Sequence, residues 1–375
     1  MRKRFAALLM SVLLALTGCS GGSIYSNYRD IAQLLVVRTM GFDSSDGGGV
    51  TLSVAAEGSG VSEEYGEGQF SPLRLCADAP SVTLAQEKLQ GFGEGRQLFF
   101  GHSSYIVLGQ SAIESGVTKY FDCLERDAAF RLSVPVFALK DGSAASLILH
   151  SGGETTDASR LLHAAAENLS LSGRARVYTA AQIISALDRN GAALICAVRT
   201  VPAASSSSEA EPEETAIEPD GYIIIYKGRA AGEIPEPIAP GVGILKGETG
   251  TLAVSLGDAT AELDRVSREL EPVTDAGGLA GLNIRIRLKA SLAEAEGEFS
   301  VPELESRLAQ LVKGWVGGVL ECSLGSGCDA LHLAAELPRE LRDDFAERMG
   351  QLHYNVEVTA ELQRSYHLDL REERQ

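Results

Sequence analysis

The chain has 375 residues, 45% of them hydrophobic and 22% charged, the make-up of a folded globular protein with room for two or three domains. Its formal charge is −18, from 51 acidic residues against 33 basic. Such a field repels nucleic acid and anionic headgroups at long range, which excludes a nucleic-acid partner and adhesion to a membrane through a basic patch.

The first residues set the compartment. Arg2, Lys3 and Arg4 precede an apolar run over residues 5–16, and Leu16-Thr17-Gly18-Cys19 closes it. A basic start, a short apolar stretch and small residues at the exit describe a secretory signal. The run is about a dozen residues, short of the roughly 20 that a spanning helix needs. The cysteine at the cut site makes Leu-x-Gly-Cys similar to a bacterial lipobox. Residues 1–18 are thus expected to leave as a lipoprotein signal peptide, and Cys19 to become a diacylglyceryl N-terminus that holds the chain to a membrane. Loss of the three leading bases brings the charge to −21. No later stretch approaches 18 consecutive apolar residues, which places the body outside the bilayer.

Five further cysteines, Cys76, Cys123, Cys196, Cys322 and Cys328, cannot all pair within one molecule. Cys322 and Cys328 flank Leu324-Gly325-Ser326-Gly327, flexible enough to close a small disulfide loop; the spacing fits no zinc pattern. The other three read as small buried apolar residues.

In chain order, Ser20-Gly21-Gly22-Ser23 is a short leash. Residues 31–41 and 50–56, joined by the Ser/Asp/Gly turn at 44–49, read as a hairpin. Ser45 and Gly47 stand where a calcium loop needs oxygen ligands, so the turn reading prevails. Residues 57–80 read as a loop, followed by a helix with Val82, Ala85, Leu89 and Phe92 at helical spacing. Residues 97–109 carry apolar runs on either side of Gly101-His102, as in strands buried on both faces. A helix is expected over 113–126, a strand over 131–139, helices over 142–150, 157–169 and 180–187, and a strand over 193–198. Alternating strands and helices make residues 19–201 a mixed α/β domain.

Residues 202–219, rich in Ser, Glu and Pro, read as a linker or insert. A hairpin over 221–234 then opens a second domain, residues 220–375, which a break near 250–280 would divide. Residues 251–256 and the alternating run 282–288 are strands. Ser300 caps the strongest helix, with Pro302 in its first turn, Glu303 at the capping-box position and a stripe through Leu304, Leu308, Val312, Trp315 and Val319. A helix over 338–349 and a strand over 352–362, continued by Tyr366-His367-Leu368, follow. The fold class is therefore α+β, the second half a long helix packed on an antiparallel sheet.

Catalytic signatures are missing. Gly18-Cys19-Ser20-Gly21-Gly22 matches a nucleophile elbow in letters only, since it lies at the cleavage site. None of the six histidines stands in a metal-binding spacing. His102 is the one candidate base, and its ordinary reading is a polar residue between two strands. Nothing calls for a cofactor or a metal.

Several stretches together resemble the Ger(x)C family, the lipoprotein C subunits of bacterial spore germinant receptors. They are the lipobox cysteine with residues 28–43 ending in Gly41-Phe42-Asp43, then residues 97–109, then Leu124-Glu125-Arg126-Asp127 with residues 131–136. The hairpin at 221–234 and the helix and strand after Gly327-Cys328-Asp329 continue the likeness. The insert at 202–219 and the Cys322/Cys328 pair depart from it. The resemblance implies a non-enzymatic receptor subunit on the outer face of the spore inner membrane or cell membrane. Its partners would be polytopic membrane subunits of A type and permease-like B type, and its role assembly or signal transmission. Cys19 carries over as the lipid site. Gly101, His102, Ser103 and Ser104, with Arg126 and Asp127, are the expected partner surface. The rival reading, a solute-binding lipoprotein of a membrane importer, requires two similar lobes around a cleft.

Overall fold

The computed structural model describes residues 33–58, 72–93, 95–150, 157–202, 215–295 and 300–363. Cys19, the signal peptide, residues 28–32 of the first stretch of family likeness and the strand continuation at Tyr366 lie outside the described residues.

Strands β1 (Leu34–Ser44) and β2 (Val50–Gly58) form the expected hairpin through a short helical turn at Asp46–Gly48. β3 (Leu73–Ala79) pairs with β2, so part of the stretch expected as loop is a strand. The Gly- and Glu-rich residues before it outweigh its own alternation in composition. Helix α1 (Val82–Gly91) is capped by the Ser81 hydroxyl, which accepts from the Leu84 amide. β4 (Gln97–Phe99) and β5 (Tyr105–Leu108) lie end to end beside β1. The helix expected over 113–126 is two, α2 (Gln110–Ser115) and α3 (Thr118–Arg126), parted at Gly116. β6 is only Val136–Leu139, because Pro135 precedes it. Helices α4 (Ala144–His150), α5 (Ala158–Ser172) and α6 (Ala180–Asn190) lead to β7 (Ala192–Pro202), β8 (Thr215–Tyr226) and β9 (Arg229–Ile234).

These strands form one sheet in the order β3-β2-β1-β5-β6-β7-β8-β9, with β4 on β1. Its centre, β1-β5-β6-β7, is parallel, and an antiparallel hairpin flanks each side. All residues of β5 and β6 are buried, as a parallel centre covered on both faces requires.

The 202–219 stretch does not divide the chain into the expected units. Its ends pair across the sheet, Pro202 with Thr215 and Val198 with Pro219, and the 221–234 hairpin completes the first sheet. A polar connection between antiparallel neighbours has the same composition as an interdomain linker, so sequence did not separate them.

The second sheet starts only after α7 (Pro240–Lys246), in the order β10 (Leu252–Ser255), β11 (Ala259–Asp275), β12 (Gly278–Ala295), β13 (His353–Gln363). Between β12 and β13 come α8 (Val301–Gly325) and α9 (Arg342–Arg348). The expected antiparallel sheet is mixed: β10, β11 and β12 are antiparallel, and β13 joins β12 in parallel. A parallel neighbour needs a long crossover, and α8 supplies it. Leu304, Leu308, Val312, Val316 and Val319 of α8 are buried, with Trp315 packed at the margin. On the open face of the sheet, Arg285 pairs with Glu271 at 2.6 Å and Arg287 with Glu269 at 2.7 Å. Pairs this exposed are screened by water and salt and add little to stability. A continuous hydrophobic core runs through both sheets. Among the described residues no helix is long and apolar enough to cross a membrane.

Candidate partner surface

β1 pairs first with β4, Val36 opposite Phe99, and then with β5, Thr39 opposite Tyr105. Between them the chain bows out. The Ser103 hydroxyl and amide both donate to the Phe100 carbonyl, at 2.8 and 3.1 Å, and the Ser104 amide donates to the Arg38 carbonyl at 2.7 Å. Ser103 thus closes the turn on itself and the Ser104 amide ties it to β1, with Ser103 buried and His102 exposed. The His102 ring lies 5.5 Å from that of Phe99.

Arg126 and Asp127 end α3. Arg126 Nε reaches back to Asp122 Oδ1 at 2.8 Å. Asp127 shapes the following turn: its carboxylate accepts from the Ala129 amide at 2.9 Å and its carbonyl from the Phe130 amide at 3.0 Å. That turn sets Phe130 edge-on to Phe100, ring centres 5.3 Å apart. The two segments selected from sequence therefore meet through one aromatic pair. Arg126 and Asp127 also line an open groove of ≈ 490 Å³ with Lys119, Asp122, Ser81 and Val50. Lys119 Nζ donates to the carbonyls of Gly48 and Gly49, and burial lowers its pKa.

Open parallel sheets take ligands beyond the carboxyl ends of their strands, and helix N-termini there attract anions. In this chain that position is filled from within. Asp43, at the end of β1, accepts from the α4 amides of Ala144 at 3.0 Å and Ala145 at 2.8 Å. Two glycines make room. A Cβ at Gly41 would stand 2.7 Å from Ile148 and 2.9 Å from the Ala144 methyl, and one at Gly109 would overlap the Asp43 carboxylate. Burial raises the Asp43 pKa, and the amide hydrogen bonds oppose that shift. Beside it, Asp141 accepts from the Thr200 amide and hydroxyl, and Lys140 bridges Asp220 at 3.0 Å and Glu233 at 2.8 Å. The sequence signal for the plug is the Gly-hydrophobic-Asp ending, which marks the family likeness without showing its mechanism.

A second polar cluster, which sequence did not indicate, joins the two sheets. His332 follows α8 with a left-handed backbone, φ 62°, and its Nδ1 lies 2.8 Å from Asn190 Nδ2 at the end of α6. Burial, then the charges of Lys246 and Arg189, lower its pKa to about 4. Asp329 accepts from the amides of Leu333 and Ala334, both at 2.9 Å, and its pKa is raised by burial.

Cys322 and Cys328 are free thiols, so the disulfide is not formed. The supposed flexible loop is partly helix: α8 runs through Gly325, and Ser326 donates by amide and hydroxyl to the Cys322 carbonyl. Cys328 is buried separately, its carbonyl bound by the Ser323 hydroxyl at 3.1 Å. Among the described residues no group of three or more His, Cys, Asp or Glu is placed to hold a metal ion.

Residues 27–200 match the family model described as the spore germination protein N-terminal domain. The fold is similar to that of the solved structure titled "Crystal Structure of the GerBC protein", with a TM-score of 0.51 and 14% sequence identity. That likeness covers 86% of this chain and 96% of that one, and at such identity it is a likeness of fold. No curated protein matches the chain.

Proposed function

The chain is a Ger(x)C-type spore germination protein, and on that premise we propose that it is the lipid-anchored C subunit of a germinant receptor, working in receptor assembly or signal transmission without catalysis of its own. The anchor is Cys19, on the outer face of the spore inner membrane or cell membrane. The partners are the polytopic A-type and permease-like B-type subunits.

The observation that carries this reading is the pairing of Phe100 with Phe130 inside the family-matched region. It links the turn at residues 101–104 to the turn after α3, which supports reading the two as one docking surface. The plug at Asp43 supports it from the other side, because the chain's own carboxylate stands where a sheet of this type receives an anionic ligand. The importer reading asks for two similar lobes, whereas the two sheets here differ in strand number and direction.

Cys19→Ala tests the anchor and, with it, the receptor role. The expected result is loss of lipid labelling, release of the chain from the membrane fraction and slower germination on nutrients. Unchanged fractionation would refute the tether, and normal germination by a released chain would refute the receptor role.

A further inference from the structure

Beyond the carboxyl ends of β6 and β7 lies a small open cavity of ≈ 160 Å³, lined by neither the docking residues nor Asp43. Sheets of this type receive ligands at that end. The cavity has an apolar side, where Leu139 closes β6 and Leu147 comes from α4, both buried. Its other side is polar. Asp141 follows β6, Ser143 and Ser146 stand at the start of α4 and His150 at its end, and Thr200 lies near the end of β7. The Asp141 carboxylate is fixed there, accepting from the Thr200 amide and the Thr200 hydroxyl, both at 3.2 Å. A carboxylate has about four acceptor sites, so Asp141 keeps capacity for further donors.

Charge selects the occupant. Asp141 is the one carboxylate among the described lining residues, and no lysine or arginine joins it. Lys140, next to it in sequence, is held on Asp220 and Glu233. The α4 amides that attract an anion are taken: Ala144 and Ala145 donate to Asp43, and Ser146 to Ser143 Oγ. The formal charge of −18 repels anions further and gathers cations. The volume is well below the roughly 300–1,000 Å³ of drug-sized sites, so the occupant is small. We propose that the cavity binds a small aliphatic amine, its ammonium group at Asp141 among the hydroxyls of Ser143, Ser146 and Thr200, and its carbon chain on Leu139 and Leu147.

The test uses n-propylammonium chloride as probe on the purified full-length chain, at an ionic strength held constant with sodium chloride. Binding is read by calorimetry and by saturation-transfer difference NMR. The expected result is saturable binding of propylammonium, with 1-propanol and propionate each bound at least tenfold more weakly. Asp141→Asn keeps an acceptor for Thr200 but removes the charge. It is expected to weaken binding at least tenfold while melting with the native chain. Ser146→Lys, at an exposed helix position, sets a tethered ammonium in the cavity and is expected to abolish binding with Asp141 intact. Absence of saturable binding, or undiminished binding by either variant, overturns the proposal. Equal binding of 1-propanol also overturns it, leaving an apolar pit only. So does equal binding of alanine, whose carboxylate the Asp141 charge repels.

Discussion

Asn190 and His332 meet at 2.8 Å across the junction of the two sheets, one at the end of α6 and the other after α8. The histidine keeps this contact as a neutral ring, its pKa lowered from 6.5 to about 4 by burial and by nearby Lys246 and Arg189. Between those two values the unfolded chain binds a proton that the folded chain does not. His332 therefore contributes stability in full above pH 6.5 and loses it as pH falls towards 4. The full shift, discounted for partial exposure, amounts to on the order of 2 kcal/mol. Asp43 and Asp329, with raised pKa values, act in the opposite sense and do not add to this acid loss. Denaturant unfolding at pH 7.0, 5.5 and 4.5 is expected to show the decline in the native chain. His332→Asn, which tolerates the left-handed backbone, is expected to be less stable at pH 7 and to decline less.

Asp43 supports α4 through two main-chain amides, one buried and one half-buried. Asp43→Ala removes both acceptors and is expected to cost about 2–3 kcal/mol, a helix cap together with unsatisfied donors. Asp43→Asn keeps one acceptor oxygen and is expected to cost less, about 1 kcal/mol. Gly109→Ala pushes a methyl group into the same carboxylate and is expected to cost about 1–3 kcal/mol. Equal midpoints for all four chains in urea would remove Asp43 from this role.

The five cysteines of the folded region are free. Burial raises the pKa of Cys322, and that of Cys328 to about 11, so little thiolate exists at neutral pH. Alkylation of the purified chain at pH 7 is expected to be slow at Cys322 and slower at Cys328. After unfolding without reductant, both are expected to react, each adding one label by mass spectrometry. A 322–328 linked peptide in a non-reduced digest would contradict the structure.

The parts of the fold legible in the sequence are those where one periodicity dominates. The apolar runs of β5 and β6, the stripe on α8 and the alternation of Ile284, Arg285, Ile286 and Arg287 each follow from a face that must be buried. β11 is not legible because Glu262, Asp264, Arg265, Arg268, Glu269 and Glu271 hide a strand whose open edge needs charge. The sheet membership of β8 and β9 is hidden because pairing with β7 is a long-range fact with no local trace. Among site residues, the turn at His102 and the end of α3 stand out as short motifs, but only folding brings Phe100 to Phe130. His332 and Asp329 have no signal, since a buried histidine and an ordinary surface one read alike in a single sequence.

That aromatic pair allows the docking surface to be separated from stability. His102→Ala and Arg126→Ala remove exposed side chains, and each is expected to change stability by within about 0.5 kcal/mol. Phe130→Ala removes one ring of a packed pair beside the core and is expected to cost about 3 kcal/mol. If the turn at residues 101–104 and the end of α3 form one interface, the double variant His102→Ala, Arg126→Ala lowers copurification of the membrane subunits while melting with the native chain. Phe130→Ala is then expected to lower copurification too, accompanied by a fall in melting temperature. Copurification retained by the double variant but lost with Phe130→Ala would show that the pair only holds the fold, and would move the interface elsewhere.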